Sequence, residues 1–153
     1  MHTLLLPLLL LFGYLAPSPA PIELKGYFRC RGVLMDGTGD ALTCYAPTQR
    51  DCNAGTVILA FEKRRSQPGE KAVFAIVDTV QVRAAAPRRV VEITRCNAAG
   101  KSRQYFVVFD AAASGAQAHL SHLARAWGVN AQDHLAPVAV KSIQCMNEDF
   151  MGD

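Results

Sequence analysis

The sequence predicts a small α+β domain that is mainly antiparallel β, with one amphipathic helix packed on the sheet and with stabilising disulfide bonds. Three observations support this fold class. Short β-rich apolar runs separated by turn residues fill residues 22–109, a pattern typical of strands joined by short loops. Apolar residues then recur at helical spacing in residues 114–127, and five cysteines are spread over the chain.

The stretch that organises the chain is a predicted β-hairpin. Residues 90–96 and 105–109 are both β-rich and apolar, and a polar turn through Asn97, Gly100 and Lys101 joins them. We therefore expect two paired antiparallel strands here.

The N-terminal half contains further strand candidates. Residues 22–34 alternate and predict one strand, and a turn through two glycines follows at 36–40. Residues 42–52 are predicted to be irregular. Residues 56–62 (TVILAFE) are apolar on both faces, which predicts a central strand. The charged loop 63–71 is interpreted as a solvated hairpin connection, with an acidic-partner contact or a dibasic processing site as the alternatives.

A helix is predicted where the apolar spacing changes, over residues 114–127. Ser114 and Gln117 have the spacing of an N-terminal capping box, and Gly128 has the position of a C-terminal stop. This helix would lay a narrow apolar stripe on the sheet. A last short strand is expected at 138–143. The repeating apolar positions of the helix are Ala116, Leu120, Leu123 and Trp127.

The start of the chain indicates export. Residues 4–11 are almost entirely apolar but too short for a bilayer, which needs about 20 residues, and Ser18 and Ala20 have the spacing of a cleavage site. We interpret residues 1–20 as a signal peptide and 21–153 as a single secreted, disulfide-bonded domain. An uncleaved signal anchor is the competing interpretation. No later apolar run reaches membrane length, so we expect no integral membrane span.

The cysteines fit an oxidising compartment. All five lie beyond the leader, and none forms a CxxC pair, so disulfide bonds are favoured over a redox motif or a zinc site. Two intramolecular bonds leave one sulfur, which is either a free thiol or joined to another chain. The five are Cys30, Cys44, Cys52, Cys96 and Cys145.

The motifs of catalysis and cofactor binding are missing. No GxSxG elbow or glycine-rich phosphate loop is present, and His119 and His122 lack the further ligands that a metal ion needs. The formal charge of +3 is too small and too scattered for a nucleic-acid binder. We therefore expect a non-enzymatic protein, without cofactor, metal or nucleic acid, that acts by protein–protein contact.

Three segments together resemble glycoprotein L of the gammaherpesviruses. A Cys-Asn turn precedes an apolar run, a second Cys-Asn turn leads to an aromatic strand, and a leucine-rich segment precedes an Asp-His-Leu tail. These segments are residues 52–61, 93–109 and 119–135. The family's adjacent cysteine pair and its glycosylation sites are missing here, and residues 62–89 have the character of an insertion.

The resemblance implies a non-catalytic subunit that folds with glycoprotein H, escorts it through the secretory pathway and acts with it in entry and membrane fusion at a virion or cell surface. It also implies that Cys52 and Cys96 each bond to Cys30 or Cys44, so that Cys145 stays free or links outward. The alternative function is a self-sufficient secreted β-rich ligand, cytokine-like, or another extracellular interaction module.

Overall fold

Two antiparallel sheets form the domain. The computed structural model describes residues 22–84 and 88–151. The smaller sheet has the order β1-β2-β3-β4, and the larger has the order β8-β7-β6-β5-β9. The strands are β1 Phe28–Leu34, β2 Ala41–Ala46, β3 Thr56–Arg64, β4 Phe74–Arg83, β5 Arg89–Ala98, β6 Lys101–Asp110, β7 Leu123–Val129, β8 Leu135–Pro137 and β9 Ile143–Cys145. The predicted mainly antiparallel β architecture with disulfide bonds is confirmed.

Helical structure within the described ranges is limited to single turns. The segments are α1 Gln49–Asn53, α2 Ala111–Ser114, and 3₁₀ turns at Val140–Ser142 and Glu148–Met151. None of the helices in residues 22–84 and 88–151 combines the length and the apolar character that crossing a membrane requires. The predicted signal peptide, residues 1–20, lies outside the described residues.

The two sheets pack on a shared core and so form a β-sandwich. Leu42, Leu59 and Phe61 from the smaller sheet meet Ile93 and Phe106 from the larger sheet in one buried cluster. Each of these five side chains is at most 1% exposed. Burial of one such side chain contributes about 1.5–3 kcal/mol, so this shared cluster is the main source of stability.

A second, smaller cluster lies on the other face of the larger sheet. Val107 and Phe109 of β6 contribute to it, together with Leu120 and Ile143 from the segments that follow. The larger sheet is therefore buried on both faces, which explains why β6 is apolar at consecutive positions from residue 105 to residue 109.

The predicted hairpin is confirmed. β5 and β6 pair along their whole length, from Arg89↔Asp110 to Ala98↔Lys101. Ala99 and Gly100 form the two-residue turn, and both have positive φ, at 48° and 77°. Positive φ at both central positions matches the right-handed twist of the flanking strands, which is why glycine suits this turn.

The predicted central strand over residues 56–62 is also confirmed, because β3 lies between β2 and β4. The charged loop after β3 connects it to β4 as a hairpin, and Pro68 and Gly69 in this loop are exposed. The glycine turn at 36–40 connects β1 to β2, with Gly37 and Gly39 both at positive φ.

The predicted amphipathic helix over residues 114–127 is wrong. Helical structure ends at Ser114, and the second half of the segment is strand β7. β7 pairs with β6, so β6 has hydrogen-bonded neighbours on both sides. Leaving a buried backbone group unpaired costs about 1–3 kcal/mol, and that penalty outweighs the weak helical preference of one short apolar stripe.

The residues predicted to begin and end that helix have other structural roles. A Cβ atom at Gly128 would lie 2.6 Å from Cε1 of Tyr105, so glycine lets β7 approach this ring. The hydroxyl of Ser114 accepts a hydrogen bond from the amide of Ser121 at 3.0 Å. Asp110 is the N-cap of the short α2, since its carboxylate accepts from the amides two and three residues further on.

Three predicted boundaries also need correction. Residues 42–52 are not irregular, because they contain most of β2 and α1; Thr48 caps α1 by accepting from the amide of Asp51 at 3.2 Å. The first strand begins at Phe28 rather than at residue 22. The expected last strand at 138–143 is instead mostly a 3₁₀ turn at Val140–Ser142, which follows β8 (ending at Pro137) and precedes β9 (beginning at Ile143).

Candidate protein-binding edge

The first disulfide bond joins the edge of the smaller sheet to the first helical turn. Cys30 on β1 bonds to Cys52 on α1, with a Cα–Cα distance of 5.7 Å. This pair agrees with the expectation that Cys52 bonds to one of the two earlier cysteines. It ties β1, the outermost strand of its sheet, to the α1 turn between β2 and β3.

The second disulfide bond corrects the expected pairing. Cys96 bonds to Cys145, not to Cys30 or Cys44, so Cys145 is neither free nor linked outward. The two residues face each other across β5 and β9. The alternation in Ile143–Cys145, where both ends are buried and Gln144 is exposed, is the local signal of a strand that sequence reasoning placed too early.

Cys44 is the remaining thiol. It is buried on β2 within the shared core, and burial raises its pKa to about 12 although the charge of Arg31 opposes the shift. The thiolate is the reactive form of cysteine, so this residue behaves as a small apolar side chain. Cys44, the cysteine left over from the two disulfide bonds, therefore gives no reason to expect an intermolecular disulfide.

One junction between the two sheets is sealed, and we call it the closed side. Here β4 of the smaller sheet meets β8 of the larger. The carboxylate of Asp78 accepts from the amide of Leu135 at 2.7 Å and from the amide of Thr79 at 2.9 Å. An ion pair between Lys63 and Asp133 also crosses this junction. Asp78 thereby satisfies donors of both edge strands.

The opposite junction, between β1 and β5, is the open side. β9 covers β5 only at Cys96–Ala98, and the last hydrogen bond runs from the amide of Met146 to the carbonyl of Arg95 at 2.9 Å. The chain then leaves the ladder, since the amide of Asn147 donates to the carbonyl of Ala118, and Asn147 and Asp149 line the cavities beside β5. Among the described residues, no strand pairs with the outer edge of β5 over residues 89–93.

The ladder geometry tells which backbone groups face outward on this open edge. In an antiparallel pair, alternate residues direct both backbone groups to the same neighbour. Because Arg95 points its carbonyl toward β9, Val91 and Ile93 direct their N–H and C=O groups the same way. The amide of Ile93 donates to Oε1 of Glu92 at 3.0 Å, so a side chain protects part of the edge.

Cavities flank the open edge. One of about 400 Å³ is lined by Val90, Val91 and Phe109, among others, and a second of about 260 Å³ is lined by Ile93 and Leu120. Each is large enough for one or more side chains of a strand laid against β5.

Arg31 of β1 contributes to the walls of both cavities and forms an ion pair with Glu92 across the junction. The Arg31 side chain is 54% exposed and the Glu92 side chain is 23% exposed. This pair and the one between Asp36 and Arg95, also exposed, connect β1 and the turn after it to β5. Exposed ion pairs contribute about 0–1 kcal/mol each, so this side is weakly held.

Sequence reasoning did not locate this edge, because it depends on where β9 ends relative to β5. Its chemistry is that of backbone hydrogen bonding. Within the described residues, no group of three or more His, Cys, Asp or Glu side chains is arranged to hold a metal ion. No family model, no curated protein and no solved structure matches this chain.

Proposed function

We propose that this protein is a secreted, non-catalytic binding subunit that takes an extended segment of another protein chain as an added strand on β5. The observation that carries the proposal is the uncovered edge at residues 89–93, where Val91 and Ile93 direct backbone donors and acceptors outward. Strand addition uses such groups for affinity and neighbouring cavities for specificity.

The surroundings of the edge fit an extended segment of a protein. An added strand would direct successive side chains alternately to either face, and the two cavities, of about 400 and 260 Å³, can receive them. Arg31 of β1, Arg89 of β5 and Asp149 all line the larger cavity. A segment with an acidic residue toward Arg89 and small apolar residues beside Val91 is the best match.

The compartment also fits this proposal. Two disulfide bonds are typical of proteins that pass through the secretory pathway. If the resemblance to glycoprotein L reflects descent, the partner is a glycoprotein H-like chain, and the protein reaches a virion or cell surface through that partner. In that case the open edge of β5 is where the two chains pair.

The test uses a proline at the outward-facing Val91, with threonine at the same site as the matched control. Val91→Pro removes an outward N–H and obstructs an added strand, while Val91→Thr keeps the N–H and the β preference. Each full-length chain is expressed in secretory cells, and chains that co-purify are identified by mass spectrometry. The wild-type complex is then analysed by amide hydrogen exchange.

We expect a specific co-purified chain with the wild type and Val91→Thr, at least tenfold less of it with Val91→Pro, and protection of the amides at residues 91 and 93 in the complex. Equal recovery with Val91→Pro, or no protection of these two amides, would refute strand addition at β5. Recovery of an unidentified chain without that protection pattern does not count as support.

The second candidate function, a self-sufficient secreted ligand, is favoured by the closed core. Both hydrophobic clusters are filled by side chains of this chain itself. A ligand of this kind is secreted as a stable monomer or homodimer when expressed alone, whereas a dependent subunit is retained in the cell. Secretion yield with and without the co-purified partner distinguishes the two.

A further inference from the structure

Glu62 is a buried acidic residue far from the proposed binding edge. It lies near the end of β3 and is 4% exposed. Leu59 and Phe61 on the same strand point into the shared core, so Glu62 lies on the outer face of the smaller sheet. Among the described residues, no basic group lies within 4.0 Å of its carboxylate.

Two hydroxyl groups donate to this carboxylate. Thr43 Oγ1 lies 3.1 Å from Oε2, and the phenol oxygen of Tyr45 lies 2.5 Å from Oε1. Burial, followed by the hydrogen bond to Glu62, raises the pKa of Tyr45 to about 12, so the phenol stays protonated and remains a donor. An ionised carboxylate can accept about four hydrogen bonds, so about two acceptor sites are left without a donor.

A cavity of about 400 Å³ lies beside Glu62. Ile22, Phe74 and Ile76 provide apolar wall, and the isolated bridge between Ile22 and Ile76 holds part of this wall in place. Tyr45 and Glu62 also line the cavity. The lining is mixed, since Glu23 and Arg29 also contribute to it, and an apolar wall with a few polar groups that fix orientation is the usual composition of a small-ligand site.

We propose that this cavity binds an alkylammonium group, either a free primary amine or the lysine side chain of a peptide. The ammonium supplies donors and a positive charge within ion-pair distance of Glu62, and its methylene stem packs against Phe74 and Ile76. A buried carboxylate without a cation is unfavourable, and a cation that enters the cavity relieves this penalty.

Arg29 is the competing charge of this site. It lines the same cavity, and its guanidinium lies over Gly32, where an added Cβ would overlap it. The same Cβ would lie 3.0 Å from Thr43 Oγ1, so the guanidinium lies close to this hydroxyl group. It forms no ion pair with Glu62. Because like charges repel, removal of the Arg29 charge strengthens binding of a cation and weakens binding of an anion.

The experiment is a titration followed by amide NMR at low ionic strength, with butylammonium as the probe and butyrate as the matched anion. In the wild type we expect saturable shifts at residues around Glu62 with butylammonium and none with butyrate. Glu62→Gln, which keeps the shape, weakens binding at least tenfold. Arg29→Gln strengthens it about threefold, as expected for removal of one nearby partly screened positive charge.

Ile76→Trp provides a second test that leaves Glu62 intact. The larger side chain should fill the cavity and abolish the shifts, so the proposal can still be tested if Glu62→Gln does not fold. No saturation in the wild type, equal affinity in Ile76→Trp, or tighter binding of butyrate than of butylammonium overturns the proposal.

A further arm identifies the natural source of the ammonium group. The probes are butylammonium and a short extended peptide with one central lysine, compared with the same peptide carrying norleucine. Tighter binding of the lysine peptide identifies a side chain of a protein, and equal or tighter binding of butylammonium identifies a free amine. Equal binding of the lysine and norleucine peptides excludes recognition of the ammonium.

Discussion

The closed and open sides of this sandwich both connect the two sheets, but they do so through different interactions. The closed side joins the edge strands β4 and β8, and the open side joins the edge strand β1 to the part of β5 that β9 leaves unpaired. Each side has an acidic residue that accepts from the next amide along its strand. On the closed side, Asp78 also accepts from Leu135 of the other sheet at 2.7 Å. On the open side, Glu92 pairs instead with the exposed guanidinium of Arg31.

The two acidic residues differ in how readily an entering strand could replace their hydrogen bonds. Asp78 bonds a backbone donor of the opposite sheet, so nothing can enter between β4 and β8 without breaking that bond. Glu92 bonds only the amide of Ile93 and the exposed side chain of Arg31, so an entering strand can replace it. An edge held by side-chain ion pairs is suited to exchange, and an edge sealed through backbone groups is suited to stability.

The largest expected effect concerns the disulfide bond that holds β9 on β5. The chain-entropy relation for a sequence separation of 49 gives a loss of about 4 kcal/mol in the free energy of unfolding for Cys96→Ala/Cys145→Ala. Chemical denaturation measures it, and non-reducing peptide mapping verifies the bond. Cys30→Ala/Cys52→Ala, with a separation of 22, is the control and should lose about 3 kcal/mol.

This substitution also lengthens the open edge. Without its covalent link, β9 should exchange its amides faster, and the uncovered part of β5 should extend toward residue 98. If hydrogen exchange at residues 143–145 is unchanged, then pairing alone holds β9 and the extent of the open edge does not depend on the disulfide bond.

The second prediction compares the two acidic residues directly. Asp78→Ala leaves the amides of Thr79 and Leu135 without their acceptor, and hydrogen bonds to charged groups contribute about 1.5–3 kcal/mol each, so we expect a loss of about 3 kcal/mol. Glu92→Ala leaves the amide of Ile93 beside an open cavity, where water can replace the lost acceptor, and should lose about 1 kcal/mol or less. Equal losses in urea denaturation would show that the two sides are alike.

The hairpin at the centre of the larger sheet could be predicted because its signals are local. Two β-rich runs and a turn with Gly100 specify both the strands and their connection within about 20 residues. The apolar runs of β3 and β6 similarly predict strands buried on both faces. Here local preference and tertiary packing favour the same structure.

The open and closed sides could not be predicted, because they depend on distant residues. Asp78 and Glu92 are both single acidic residues within strands, and what distinguishes them is a backbone donor at Leu135, 57 positions from Asp78. The cysteine pairing failed for the same reason, since Cys145 reaches Cys96 only after a strand that was predicted to be a helix. The apolar spacing around Trp127 fits a helix and a strand with one irregularity equally well.

The third prediction concerns one arginine on each side. Arg125 donates to the carbonyl of Arg83 at 2.5 Å and lies 5.4 Å from the centre of the Trp127 ring, whereas Arg95 forms an exposed ion pair with Asp36. Arg125→Ala should lose about 1–2 kcal/mol of stability, from the lost hydrogen bond and cation–π contact. Arg95→Ala should lose about 0.5 kcal/mol or less, and a larger loss would mean that the open side is held more firmly than its exposure implies.

The smallest effect is expected for the ion pair between Arg31 and Glu92, which lies across the open edge. A double-mutant cycle with Arg31→Met and Glu92→Gln should give a coupling free energy of about 0.5 kcal/mol, because Arg31 is more than half exposed and the pair is screened. The coupling should fall further in 1 M salt, where the Debye length is about 3 Å. A coupling above about 2 kcal/mol that salt does not reduce would show that this pair holds β1 and β5 together. In that case an incoming strand could not displace Glu92 from the amide of Ile93, and entry at β5 would need a rearrangement of β1.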